Sequence, residues 1–144
     1  MNPTVRAAGA ADAPAIAPLL AELGYPASAA DLTVRLESLH RADEIVLVAE
    51  VDGELLGVET VHITPMLQRP TPVGRITMLV VAQRAHGKGI GRALVEAAEK
   101  IIAARGCSLI EITSNRARTD AHAFYERLGY EITSVRLKKE LPWP

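Results

Sequence analysis

Leu79 to Arg105, LVVAQRAHGKGIGRALVEAAEKIIAAR, decides how this chain is read. The run Ile76 to Val81 (ITMLVV) that leads into it is apolar and rich in β-branched residues, the pattern of a buried strand. Three glycines then stand at alternate positions, Gly87, Gly89 and Gly91, and a long helical pattern begins at once. Ile90, Leu94, Ala97, Ile101 and Ala104 recur at helical spacing, with Arg92, Glu96, Glu99 and Lys100 on the other face. Glu96 and Lys100 form an i,i+4 pair in the favoured orientation, and Gly106 is the expected C-terminal stop.

Strand, glycines and helix in that order have a physical meaning. The first turn of a helix carries backbone N–H groups with no internal partner, and the aligned peptide dipoles place partial positive charge there. Glycines remove side chains that would hold a ligand's phosphates away, and Lys88 and Arg92 add full charge at the same end. The stretch therefore reads as a pyrophosphate cradle. Two familiar cradles fit badly. A P-loop needs Gly-x-x-x-x-Gly-Lys-Ser/Thr, which does not occur, and a dinucleotide fingerprint needs Gly-x-Gly-x-x-Gly near the start of a βαβ unit.

A third pattern fits. Leu79-Val80-Val81, followed by His86-Gly87-Lys88-Gly89-Ile90-Gly91, resembles the acetyl-CoA signature of the GNAT superfamily of N-acetyltransferases, Arg/Gln-x-x-Gly-x-Gly/Ala. Gly89 and Gly91 match its two small positions. The resemblance implies that Leu79, Val80, Val81, His86, Gly87, Lys88, Gly89, Ile90, Gly91 and Arg92 bind acetyl-CoA. One residue departs: His86 stands where the family has Arg or Gln. Backbone amides carry most of the phosphate contact, so the departure implies a weaker grip at most.

Composition sets the outer bounds. With 144 residues the chain is expected to form one domain, 1–144, with a single substantial core. Hydrophobic residues make up 49% and charged residues 23%, the balance of a soluble globular protein. Aromatics are confined to Tyr25, Phe124, Tyr125, Tyr130 and Trp143, so the core must be built from Val, Leu, Ile and Ala. A net charge of −1 without a basic block argues against nucleic acid as a partner. No apolar run approaches the ~20 residues of a membrane span, and the N-terminus lacks the apolar stretch of a signal peptide. The single cysteine, Cys107, excludes an internal disulfide and suits a cytoplasmic setting.

Taken in order, Thr4 to Ala8 reads as a first strand. Asp12, with Ala13-Pro14 after it, opens a helix carrying Ile16, Leu19, Leu20 and Leu23, stopped at Gly24. Ser28 or Asp31 caps a second helix with Leu32, Leu36 and Leu39 inward. Glu44 to Val51 and Glu54 to Ile63 are strands joined by Asp52-Gly53, a strong two-residue hairpin signal. A proline-rich loop, Thr64 to Val73, precedes the central strand from Gly74 to Val81. Cys107 to Thr113 is the next strand, parallel to it across the helix. A short helix, AHAFYERL, stops at Gly129, and Tyr130 to Leu141 is expected to add a final strand or hairpin. This order resembles the GNAT fold over nearly the whole chain. It implies an α+β, three-layer architecture, a central mixed and mostly antiparallel sheet with helices on both faces.

The block Ser114 to Tyr130 is similar to the family's C-terminal pattern, an Asn turn followed by A-x-x-F-Y-E-x-x-G-F/Y. The resemblance implies that Tyr125 reaches the coenzyme sulfur as hydrogen-bond donor to the leaving thiolate, and that Asn115 binds the pantetheine arm. An attacking amine must first lose a proton. Glu111, acting through water, is the leading candidate base, with His62 and Glu59 as others. Neighbours in a strand alternate faces, so Glu59 and His62 cannot both line one site. No histidine pair has metal-ligand spacing, and none of these residues calls for a metal. The function implied is transfer of the acetyl group of acetyl-CoA to a primary amine, a small molecule in the leading reading. A non-catalytic acyl-CoA-binding module and a protein N-terminal or lysine acetyltransferase remain as alternatives, and a homodimer stays open.

Overall fold

The computed structural model describes residues 2–113 and 119–143, and the chain divides into two compact units, residues 1–113 and 114–144. The first unit runs β1 (Thr4–Ala7), a single 3-10 turn, α1 (Ala13–Leu23), α2 (Ala29–Arg41), β2 (Ile45–Val51), β3 (Glu54–Thr64), β4 (Val73–Val81), a second 3-10 turn (Gln83–Ala85), α3 (Ile90–Ala104) and β5 (Leu109–Ile112). The sheet order is β1-β2-β3-β4-β5. The first three pairings are antiparallel, and β4–β5, joined across α3, is parallel. The mixed, mostly antiparallel sheet expected from the sequence is thus present.

Local chemistry explains the element ends. Ser28 Oγ accepts the Asp31 N–H at 3.0 Å, so Ser28 rather than Asp31 caps α2. Asp12 stands at the N-cap of α1 without a side-chain cap bond. Its carboxylate instead accepts from the Gly9 N–H and from the Arg6 guanidinium, and Arg6 holds it below the usual carboxylate range. Asp52 (φ 54°) and Gly53 (φ 78°) both lie in the left-handed region, the turn that a two-residue hairpin needs. The strand expected from Cys107 is shorter, starting at Leu109, with Cys107 half-buried ahead of it.

The two sheet faces differ. A Cβ on Gly74 would collide with Ile102 of α3, and one on Gly57 would stand 3.0 Å from Leu94 Cδ1, so α3 packs close against one face. Alternation puts Val48, Val58 and Val80 on the opposite face, where Ile16 and Leu19 of α1 and Leu32 of α2 join them in the core. Between Thr60 and Val61 the β3–β4 register slips, because β4 carries one extra residue, Thr77.

The second unit holds α4 (Thr119–Arg127), closed by Gly129 at φ 96°. The final strand or hairpin expected over Tyr130 to Leu141 is not found. Residues 131–143 have no regular secondary structure and are exposed, with Ile132, Val135 and Leu137 among them. A strand exists only through ladder bonds, and among the described residues none pairs with this segment.

Glu59 sits beneath α3 with 0% exposure, and neither carboxylate oxygen has a hydrogen-bond partner among the described residues. Burial pushes its carboxyl up from 4.5 to about 8. The folded protein therefore keeps a proton that the unfolded chain releases above about 4.5, so this residue costs stability progressively as pH rises from about 4.5 to about 8. Glu59→Gln, which is neutral at every pH, should raise the melting temperature at pH 8 and change it little at pH 4.5. Melting curves across that range check this; an equal shift at both ends would mean that the charge is not the burden.

Candidate functional site

The turn after β4 is held at several places before the glycines begin. Ala82 N–H donates to the Leu56 carbonyl at 2.8 Å, and the Gln83 N–H to Glu22 Oε1 of α1 at 2.8 Å. Arg84 pairs with Glu54 at the start of β3. His86 Nε2 lies 2.9 Å from the Val81 carbonyl oxygen and donates to it. The residue that departs from the acetyl-CoA signature thus ties the turn back to the end of its own strand.

Gly87 and Gly89 both have φ of 80°, the left-handed region in which an L side chain costs roughly 1–2 kcal/mol. A Cβ at either would meet nothing within 4 Å, so the backbone conformation, not crowding, demands glycine here. Gly89 is the N-cap of α3 and has no side chain to cap it. The first helical bond runs from Ala93 N–H to the Gly89 carbonyl at 3.1 Å, which leaves the N–H groups of Ile90, Gly91 and Arg92 without intrahelical acceptors. No acidic residue lies in this first turn, and Lys88 is exposed beside it. A shallow groove next to the turn is lined by Val51, Leu56 and Ala85, the carboxylates Asp52 and Glu54, and the cations Arg84 and Lys88. Open space over the glycines, unpaired amides and local positive charge fit a pyrophosphate.

Glu96 is partnered differently from expectation, through Arg92. The Arg92 Nε donates to Glu96 Oε1 at 2.9 Å, so Glu96 takes Arg92, one turn back, as partner in place of Lys100. Leu79 to Val81 reach the cradle along β4, but Val80 is buried with Val58, so it can offer a ligand only its main chain. The bulge falls at Thr77, ahead of Leu79. The β4–β5 ladder ends at Ile76–Ile112 while β4 continues to Val81, and among the described residues no strand pairs with Thr77 to Val81 on that side.

Of the candidate bases, Glu111 is half-exposed on β5 and accepts from Arg75 Nη2 at 2.8 Å. His62 Nδ1 lies within ion-pair distance of the Glu44 carboxylate on the same face. Glu59 faces α3, opposite His62, and carries its proton near neutral pH. Sequence reasoning missed that Arg75 and Glu44 join this group; the signal was the hairpin register, which sets Arg75 opposite His62. In the second unit, Tyr125 packs edge-on against Phe124 and Tyr130, at centroid distances of 5.1 and 6.1 Å. Asn115 lies outside the described residues. Among the described residues, no group of three or more His, Cys, Asp or Glu could hold a metal ion, and no helix is long and apolar enough to cross a membrane.

Known proteins resemble both the sequence and this geometry. A family model described as the acetyltransferase (GNAT) family matches residues 15–130. Aminoalkylphosphonate N-acetyltransferase of Salmonella typhimurium is 36% identical over 90 residues, 62% of this chain and 58% of that protein. Mycothiol acetyltransferase of Salinispora tropica is 33% identical over 118 residues, 79% of this chain and 38% of that protein. The chain thus spans well under two thirds of the length of these curated relatives. The crystal structure of a transcriptional regulator from Bacillus halodurans C-125 superposes with a TM-score of 0.86 at 27% identity, covering 97% of this chain and 100% of that one.

Gly89→Asp puts a strained side chain and a negative charge at the helix start. It should weaken acetyl-CoA binding by more than about tenfold, roughly 1.4 kcal/mol, in a protein that still unfolds cooperatively. Calorimetric titration checks this, and unchanged affinity would remove the phosphate-binding role of the turn.

Proposed function

This chain belongs to the acetyltransferase (GNAT) family, and on that premise we propose that it moves the acetyl group of acetyl-CoA directly to the primary amine of a small molecule in a ternary complex. The observation that carries the reading is the left-handed pair Gly87 and Gly89 opening the uncapped helix α3. In this reading the amides of Ile90, Gly91 and Arg92, with Lys88, hold the pyrophosphate. The arm of the coenzyme lies along the edge of β4 from Val81 to Thr77, where main-chain groups are available for it, and Asn115 is assigned to the same arm. Acetyl-CoA supplies the acetyl group as an activated thioester.

The protein's own residues then manage protons and charge. An ammonium has no lone pair, so its proton passes to Glu111 through water before nitrogen bonds the acetyl carbon. Charge that gathers on the thioester oxygen is met by a main-chain N–H of β4 near its bulge. Sulfur leaves with its electron pair, the Tyr125 hydroxyl donates a hydrogen bond to it, and the second proton that nitrogen sheds on becoming an amide nitrogen passes to the departing thiolate. Tyrosine's reference pKa of ~10 exceeds a thiol's ~8.5, so hydrogen bonding suffices and full proton transfer is slightly uphill. A small acceptor is favoured by the loop Thr64 to Val73, which carries Arg69 and no acidic residue to attract a basic peptide. The name of the Salmonella relative, an acetyltransferase of a small amine, supports the same choice.

Tyr125→Phe keeps the ring and removes the hydroxyl. Both kcat and kcat/KM should fall by ~10²-fold, the scale of one lost transition-state donor, while acetyl-CoA affinity and melting temperature hold. Thiol release across an amine panel reads the rate. Near-normal turnover would demote Tyr125 to a packing residue, and coenzyme binding without thiol release from any amine would favour a non-catalytic module.

A further inference from the structure

Four ionisable side chains form one row across the sheet: Glu44, His62, Arg75 and Glu111. His62 and Arg75 are register partners, as are Arg75 and Glu111, and Glu44 precedes Ile45, whose partner is Val61. Acid, histidine, cation and acid therefore follow one another from the residue just before β2 across β3, β4 and β5. The row lies on the face away from α3, beyond the part that α1 and α2 cover; the His62, Arg75 and Glu111 side chains are 40%, 36% and 42% exposed. The next position along carries two more polar groups, the Thr60 and Thr77 hydroxyls, bonded at 2.6 Å. Past them the face turns apolar, with Val58 and Val80 buried in the core. As a stability device the row is weak, since half-exposed ion pairs contribute only ~0–1 kcal/mol.

Its location matters more. Arg75–Glu111 is the pair just before the ladder closes at Ile76–Ile112, and among the described residues no strand pairs with the edge of β4 from there to the glycine turn. Resting on the acetyl-transfer reading, an acyl carrier laid along that edge ends beside the row. We propose that the row is the floor of the acceptor site and that the acceptor is a short zwitterion, an amine carrying a carboxylate or similar oxyanion, with Arg75 as the residue that selects it. The bond to Glu111 uses one of the five guanidinium N–H donors, and Glu111 is the only side-chain partner of Arg75 among the described residues. The fork that remains matches a planar oxyanion, with His62 beside it. Glu111, one strand over, faces the ammonium and is placed to take its proton. Neighbouring strands lie about 4.8 Å apart, which suits an amine and an acid group separated by two or three atoms. A plain alkylamine satisfies only half of this floor.

Matched acceptors test the assignment: glycine, 3-aminopropanoate and 4-aminobutanoate, each against the alkylamine lacking its carboxylate. At least one amino acid should exceed its amine in kcat/KM by roughly tenfold or more, the scale of a charge-assisted hydrogen bond. Arg75→Gln also takes a partner from Glu111, a loss both acceptors share, so the diagnostic is the ratio. The amino-acid to alkylamine preference should fall roughly tenfold, chiefly through a higher KM for the amino acid, and Arg75→Lys should restore part of it. Equal losses on both acceptors, or no gap in the wild type, overturn the assignment. A calorimetric titration of the same amino acids into protein saturated with coenzyme A reads the site without turnover. Binding lost in Arg75→Gln supports the site, and absence of binding to the wild type overturns it. Amino-acid binding through Arg75 with no thiol release from any acceptor removes the acetyl-transfer reading and keeps the site; thiol release without acid preference does the reverse.

Discussion

Everything in the first unit depends on how closely α3 lies against the sheet. Gly57 and Gly74 sit beneath it because Leu94 and Ile102 occupy the space a Cβ would need. That contact fixes the helix along β4, and the short turn from Val81 to Gly89 then determines where the helix starts. Two left-handed glycines complete the reversal, leaving amides of the first helical turn facing out at the end of the central strand. A loosely packed helix would let those amides drift, and a phosphate site needs them fixed. The same close cover strands the Glu59 carboxyl in an apolar layer, where burial favours its protonated form.

The two faces of the sheet consequently divide the work. Under α3 the strands are close-packed and apolar apart from Glu59. On the other side α1 and α2 cover the Val48–Val58–Val80 end and leave Thr60, His62, Arg75 and Glu111 partly open to water. β4 joins the two regions. One end feeds the cradle, its bulge at Thr77 marks the middle, and Arg75 begins the charged row. Coenzyme chemistry and acceptor chemistry are thereby assigned to different stretches of one strand.

Much of this was legible in the residues. Glycines at alternate positions before a helical period announced the turn that opens α3, Asp52-Gly53 the hairpin, and Ser28 a cap. What could not be read depends on partners distant in sequence. The bulge at Thr77 exists only relative to β3, so no pattern within β4 reveals it. Glu59 looks like an outward strand residue until α3 is placed over it. The pairing of Glu96 with Arg92 instead of Lys100 is a choice among neighbours that spacing alone leaves open. Tyr130 to Leu141 carries enough apolar and β-branched residues to suggest a strand, yet strand formation needs a ladder that the segment's own residues cannot supply.

The central claim is that amides at the start of α3, and the edge of β4 from Thr77 to Val81 behind them, receive acetyl-CoA. Amide chemical shifts of the isotopically labelled wild-type protein, followed during an acetyl-CoA titration, test it most directly. The account predicts saturable shifts that are largest at Lys88, Gly89, Ile90, Gly91 and Arg92, with a second set along Thr77 to Val81. Saturable shifts centred elsewhere, with these residues unmoved, would contradict it.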